Sequence, residues 1–427
     1  CTTIHRIRAM HLYLLCLAVL CVHVCAIEWS ANITNCVPLN DDAAFGTSVA
    51  ISGDWAIIGA DQEYDNADDC NPVGCAIMFH LEDGLWQQHQ SLYAQSELVR
   101  QTGYAVAIDG DWAAVSSISE PMYPVALHQG TQVATFIRGS DDRWTASDVL
   151  TGPGNNPAFG YSLDMAGDVL VVGYPTSHET TTGESSVLIY RRDGDSAVLE
   201  ATLTHDTMNL GNSISLSADG TRLVTSAYTK NDEEEMLGSV LVYDYDAATG
   251  TWAQYQYIQT DFYMKCKDTF DCDSMDEVTV ALDADGMTLA IGYPADQSAS
   301  GYPESGSVRI YSMEHGSFYP TQTLYGDVPG DYDIFGHAVS FDKTARTGES
   351  TLVVGAPYTK NNHGKVFVYK LRSGLEYMQV FAQPFGTRNF GRLGASVAVE
   401  GDVVMAGAPL WDEWHNTLGL VAVIDLA

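Results

Sequence analysis

The sequence predicts an all-β chain folded as a seven-bladed β-propeller with four-stranded antiparallel blades, the last closed by the N-terminal strand of the processed chain. Three observations predict it. A unit of about 57 residues recurs seven times, with openings that run from Gly46 to Gly391. Each unit holds short apolar runs joined by Gly-Asp or Asp-Gly, the signature of tight antiparallel hairpins. The 38 glycines return at matching places in the copies instead of scattering.

The first copy opens at Phe45-Gly46 and turns at Gly53-Asp54; its second run ends at Gly59-Ala60 and its third run is Cys75–Phe79. Along the first run Ser48, Ala50 and Ser52 alternate with Val49 and Ile51, the period of two expected of a pleated strand. Copy two opens near Gly103-Tyr104, turns at Gly110-Asp111 and resumes at Thr131–Phe136. Copy three has Phe159-Gly160, Gly167-Asp168, Gly173-Tyr174-Pro175 and Ser186–Tyr190. Copy four reads Leu210-Gly211, Asp219-Gly220, Ser226-Ala227-Tyr228 and Ser239–Tyr243. Copy five lacks the opening pair but keeps Asp285-Gly286, Gly292-Tyr293-Pro294 and Ser307–Tyr311. Copy six has Phe335-Gly336, Gly355-Ala356-Pro357 and Lys365–Tyr369; copy seven has Phe390-Gly391, Gly401-Asp402, Gly407-Ala408-Pro409 and Leu420–Ile424.

A fourth run, often marked by Trp and Gln, follows the third in six copies, as in Trp86–Leu92, Trp144–Leu150 and Trp252–Ile258. Copy seven has none. Ile27-Glu28-Trp29-Ser30 carries its own Trp and is the expected fourth strand of that blade, which removes the open edge of the ring.

Ahead of that strand, the apolar run from Met10 to Ala26 follows Arg6 and Arg8 and ends in small side chains. It reads as a secretory signal peptide, with residues 1–26 as leader and 27–427 as the propeller domain. Removing the leader leaves 18 Lys and Arg against 55 Asp and Glu, a charge of -37. That balance excludes nucleic acid and an anionic membrane surface as main partners, since both require clustered cations. No later segment of the sequence resembles a membrane span.

An extracellular setting makes Cys70–Cys75 and Cys266–Cys272 the expected local disulfides and leaves Cys36 unassigned. Asn32 heads an Asn-Ile-Thr glycosylation sequon.

Phe-Gly followed by Gly-Ala-Pro resembles the FG-GAP repeat of the integrin α-subunit head and of related secreted microbial and protist proteins. Phe335-Gly336 with Gly355-Ala356-Pro357, and Phe390-Gly391 with Gly407-Ala408-Pro409, are the complete forms. The resemblance implies a seven-bladed propeller with an adhesion or ligand-binding role outside the cell. It also implies calcium loops between the first two strands of late blades. Here that connection is usually a two-residue turn, and Asp283, Asp285 and Gly286 are only a fragment of such a loop. The family's calcium sites therefore do not transfer, and no cofactor is expected to be required.

Loops between the second and third runs are long, variable and acidic, and loops of this kind on one rigid face are a usual place for binding residues. Asp65, Asp68 and Asp69 in the first are the candidate calcium ligands, set against a purely solubilising role. Trp411 and Trp414, beside Asp412 and Glu413 in the seventh, are the preferred ligand contacts, with Tyr302, Tyr332 and Tyr358 as companions. The nine histidines after residue 26 stand singly, and the chain has no zinc-protease, nucleophile-elbow or phosphate-loop motif. The expectation is therefore a secreted, non-enzymatic module that binds an extracellular protein or glycan. Cell-surface association would run through a segment beyond Ala427. A structural coat component and a propeller hydrolase or lyase are the alternatives.

Overall fold

The computed structural model describes residues 29–33, 44–61, 74–93, 101–118, 131–153, 158–175, 185–207, 209–230, 236–264, 277–297, 303–327, 330, 332–344, 350–372, 376–384, 391–410 and 419–426. Seven antiparallel four-stranded sheets are arranged as blades. In six of them the strands lie in chain order. In the seventh, Ser396–Glu400, Val403–Ala408 and Leu420–Asp425 are joined by Trp29–Ile33, which pairs antiparallel with Leu420–Asp425. The ring is closed by the N-terminal strand, as the sequence predicts. Asn32 is in that strand, opposite Ala422.

Hydrophobic packing lies mainly between blades. Phe45, Ile58, Ile77 and Phe79 of blade 1 pack with Met405, Val421 and Val423 of blade 7, and each remaining layer likewise joins neighbouring blades. Trp55, Trp112, Tyr190, Tyr243, Tyr311 and Tyr369 are all buried, which accounts for their recurrence as packing residues.

The Phe-Gly and Gly-Ala-Pro motifs have one physical explanation. The Phe is buried between blades, at 0% exposure for Phe45 and Phe159. The following Gly has φ between +86° and +96° at Gly46, Gly103, Gly160, Gly211 and Gly336, a conformation that L side chains resist. Its carbonyl lies against the bare Cα of the second-strand Gly in the preceding blade. A Cβ on Gly59, Gly173, Gly292 or Gly355 would stand within about 2 Å of the carbonyl oxygen of Gly103, Gly211, Gly336 or Gly394. A hydroxyl from the preceding blade's innermost strand completes the contact: Ser48 donates to Gly103 O at 2.8 Å, Ser162 to Gly211 O at 2.7 Å and Thr279 to Gly336 O at 2.7 Å.

This geometry corrects the opening assigned to copy seven. The pair that fills the Phe-Gly position is Leu393-Gly394, three residues beyond Phe390-Gly391. Leu393 is buried and bridges Gly364, as Phe335 bridges Gly306, and the Gly394 N–H donates to Gly407 O, as Gly336 does to Gly355 O. In blade 5, where the pair is missing, the Tyr228 hydroxyl accepts from Val278 N at 2.7 Å.

The outer strands are tied by Gln. Gln90 donates to Trp144 O and accepts from Trp144 N; Gln256 does the same with Phe318, and Gln322 with Tyr377. Each side-chain amide thus pairs with the next blade's backbone as a strand residue would, which explains the Gln-rich fourth runs. Antiparallel order puts all connections between second and third strands on the same face as the inter-blade crossings. This is the long-loop face; the opposite, hairpin face carries the short turns.

Candidate ligand-binding face and central channel

The innermost strands surround an axial cavity of about 380 Å³. Its lining includes Ile51, Ile108, Met165, Val280, Phe341 and Val399 of the innermost strands, whose side chains also belong to the hydrophobic layers between blades. Carboxylates gather at its hairpin end. Glu400 accepts from Gly53 N at 2.9 Å, Asp109 from Gly167 N at 2.5 Å and Asp342 from Gly401 N at 2.9 Å, each bond linking one blade to the next. Lys343 of blade 6 reaches Asp164 of blade 3 at 2.5 Å. Burial pushes the Glu400 carboxyl above its ordinary pKa; the charges of Asp342, Asp109 and Asp54 add to this, while the Gly53 N–H opposes it. These acids serve as inter-blade acceptors, so their convergence has a structural use.

At the long-loop end, residues that follow the opening glycines of blades 2, 3 and 4 form a polar group with Glu277 of blade 5, which has no opening glycine. Tyr161 of blade 3 donates to Glu277 Oε2 at 3.0 Å, and Asn212 Nδ2 donates to the same oxygen at 2.7 Å. The Tyr104 ring lies 5.3 Å from that of Tyr161. Burial, then the Glu277 charge, keeps the Tyr161 hydroxyl protonated well above the ordinary tyrosine range, which makes it a hydrogen-bond donor and not a nucleophile. His337 holds the corresponding position in blade 6. Burial, helped by the charge of Arg392, lowers its pKa to about 4, so it is neutral at physiological pH. In the sequence the only signal of this group is position, one residue after the opening Gly, and it covers Tyr104, Tyr161, Asn212 and His337 but not Glu277.

Of the residues expected to bind ligand, Tyr332 and Tyr358 are described. Tyr332 is 56% exposed at the crossing into blade 6. Tyr358 is half-buried, with the Arg392 guanidinium 4.6 Å above its ring. Trp411, Asp412, Glu413, Trp414 and Tyr302 lie outside the described residues, as do the calcium candidates Asp65, Asp68 and Asp69. Among the described residues, no group of three or more His, Cys, Asp or Glu is placed to hold a metal ion. Asp283, from the calcium-loop fragment, instead closes its hairpin by accepting from Met287 N and Thr288 N, both at 2.9 Å. Cys75 is buried and disulfide-bonded. Cys70, Cys266 and Cys272 lie outside the described residues, as do Cys36 and the expected signal peptide. No described helix is long and apolar enough to cross a membrane.

Comparison with known proteins supports the repeat locally and the fold globally. A family model for the FG-GAP repeat matches residues 39–71, the stretch that contains Phe45-Gly46 and Gly59-Ala60. No curated protein matches the chain. Among solved structures, hydrazine synthase from Kuenenia stuttgartiensis is 12% identical with a TM-score of 0.56, covering 92% of this chain and 99% of that one. A protein from Lactobacillus plantarum is 16% identical with a TM-score of 0.49, covering 79% of this chain and 84% of that one. At such identities the likeness concerns the fold alone.

Proposed function

We propose that the chain is a secreted recognition module that binds an extracellular protein or glycan through its long-loop face, without covalent chemistry. The asymmetry between its faces carries this reading. Two-residue hairpins such as Gly53-Asp54 and Gly110-Asp111 recur on the hairpin face, where the longest connection is 342–350 in blade 6. The opposite face gathers the connections of greatest length and variety, together with the half-buried Tyr161, Glu277 and His337 and the buried Asn212. A rigid ring carrying variable loops on one side suits binding, because the scaffold orders the contacts before the ligand arrives.

In this reading Trp411 and Trp414 supply aromatic contact area, with Asp412, Glu413 and Tyr302 beside them. Cys70 is the disulfide partner of Cys75 and fastens the base of the first acidic loop, and Cys266 pairs with Cys272. Calcium is not required for folding, and Asp65, Asp68 and Asp69 would be its only contacts.

The test is quantitative capture of ligand from the parent cell surface by the purified chain, with and without a calcium chelator. Saturable capture that is lost on changing Trp411→Ala and Trp414→Ala supports the reading, and the chelator arm reports whether calcium takes part. Absence of saturable capture in both arms would refute it.

A further inference from the structure

Arg392 is an anomaly in an acidic protein. The chain has 55 Asp and Glu for 20 Lys and Arg, and cations inside its surface are readily matched. Among the described side chains, every other half-buried or buried Lys or Arg has a carboxylate within 4 Å: Arg138 with Asp142, Arg191 with Glu200, Arg192 with Asp111, Arg222 with Asp244, Arg309 with Asp296, Lys343 with Asp164, Lys365 with Asp327 and Lys370 with Asp402. Arg392 is half-buried, and its guanidinium meets no carboxylate and makes no hydrogen bond among the described residues. Its Nε is buried without a partner.

The residue is nonetheless held firmly. Its N–H donates to Asn362 O at 3.0 Å, its carbonyl accepts from Ala395 N at 3.0 Å, and its guanidinium lies over the Tyr358 ring. It occupies the turn position just before the opening pair, taken in other blades by Ala44, Gln101, Asn209 and Ile334, all with φ between +47° and +55°. Arg392, at +54°, shares that backbone, so the turn belongs to the fold. The cation does not: blade 7 alone among these has one there. With Nε buried, the fork left to match the two oxygens of a carboxylate is the terminal Nη pair.

We propose that Arg392, supported by Tyr358, binds the carboxylate of a uronic acid residue in an otherwise neutral glycan. The proposal rests on the recognition reading and names its ligand class. Three observations narrow the ligand. The neighbouring His337 is neutral, so Arg392 is matched by one acid group. The net charge of -35 opposes polyanions and acidic proteins at long range, but acts little on a single acid in a neutral chain. Tyr332, exposed on the same face at the opening of blade 6, offers a ring for sugar stacking.

The test is titration of the purified chain with methyl glucuronide, methyl glucoside and a capped neutral peptide containing one Asp. Saturable binding of the glucuronide, at least tenfold stronger than that of the other two, is expected. Arg392→Gln should abolish it, and Arg392→Lys, which keeps charge but loses the fork, should weaken it severalfold. Both variants must keep the native thermal midpoint; should Arg392→Gln not fold, Tyr358→Ala replaces it, with loss of glucuronide binding expected. The His337 ring resonances should also shift when glucuronide is added, as Arg392 is neutralised. Equal binding of glucuronide and glucoside, binding unaffected by Arg392→Gln, preference for the Asp peptide, or no binding would each overturn the proposal. Saturable cell-surface capture that survives Arg392→Gln would remove the carboxylate site and leave the recognition reading standing. Failure of the unmodified chain to capture anything would remove both.

Discussion

A Cβ built on Gly407 would stand 2.0 Å from the carbonyl oxygen of Gly46, where the last blade meets the first. The same oxygen accepts a 2.8 Å hydrogen bond from Ser396 Oγ. Ring closure therefore has two parts, this backbone contact at the inner edge and the Trp29–Ile33 strand at the outer edge.

Gly407→Ala should destabilise the protein by about 2–3 kcal/mol, because the obstructing atom is backbone that cannot swing away. Gly167→Ala is the control. Nothing lies within 4 Å of its Cβ position, so only the φ of +60° costs, about 1 kcal/mol. Denaturant titration of both variants checks the difference.

Removing residues 1–33 should expose the backbone edge of Leu420–Asp425 and open the ring. Lower thermal stability and self-association are expected, measured by thermal unfolding and light scattering. An unchanged monomer would mean that the N-terminal strand adds nothing to closure.

Gln256→Ala should cost about 1–3 kcal/mol, since it strips both hydrogen-bond partners from the backbone of the buried Phe318. Gln322→Ala should behave alike with Tyr377. The two sites share blade 5, so the double variant also tests whether the losses add.

His337 gives a pH signature. Its folded pKa is about 4, against about 6.5 when unfolded. The unfolded chain thus binds more protons between those values, and stability falls as pH drops from about 6.5 towards 4. His337→Asn should remove up to about one proton from that slope. Arg392→Gln should move the His337 pKa upward, which a proton NMR titration of the ring reads directly.

The fold was legible because its rules are local. Gly-Asp turns and alternating runs mark hairpins, and Trp29 marked the missing fourth strand of the seventh blade. Phe390-Gly391 misled because it spells the motif, whereas the position requires only a buried apolar residue followed by Gly at positive φ, which Leu393-Gly394 supplies. That three-residue shift also concealed Arg392, which stands at the turn only in the correct register. Tyr161, Asn212 and Glu277 come from three blades and meet only through ring curvature, a relationship that periodicity along the chain does not encode.

The central claim is that the long-loop face takes the ligand. Its most direct test is cell-surface capture by two variants, each bearing a bulky polymer on one introduced thiol: Lys360→Cys on the long-loop face and Asp195→Cys on the hairpin face. Both substituted residues are exposed. The polymer at position 360 should abolish capture, while that at position 195 should leave it intact. Blockage from position 195 with free capture at position 360 would contradict the account.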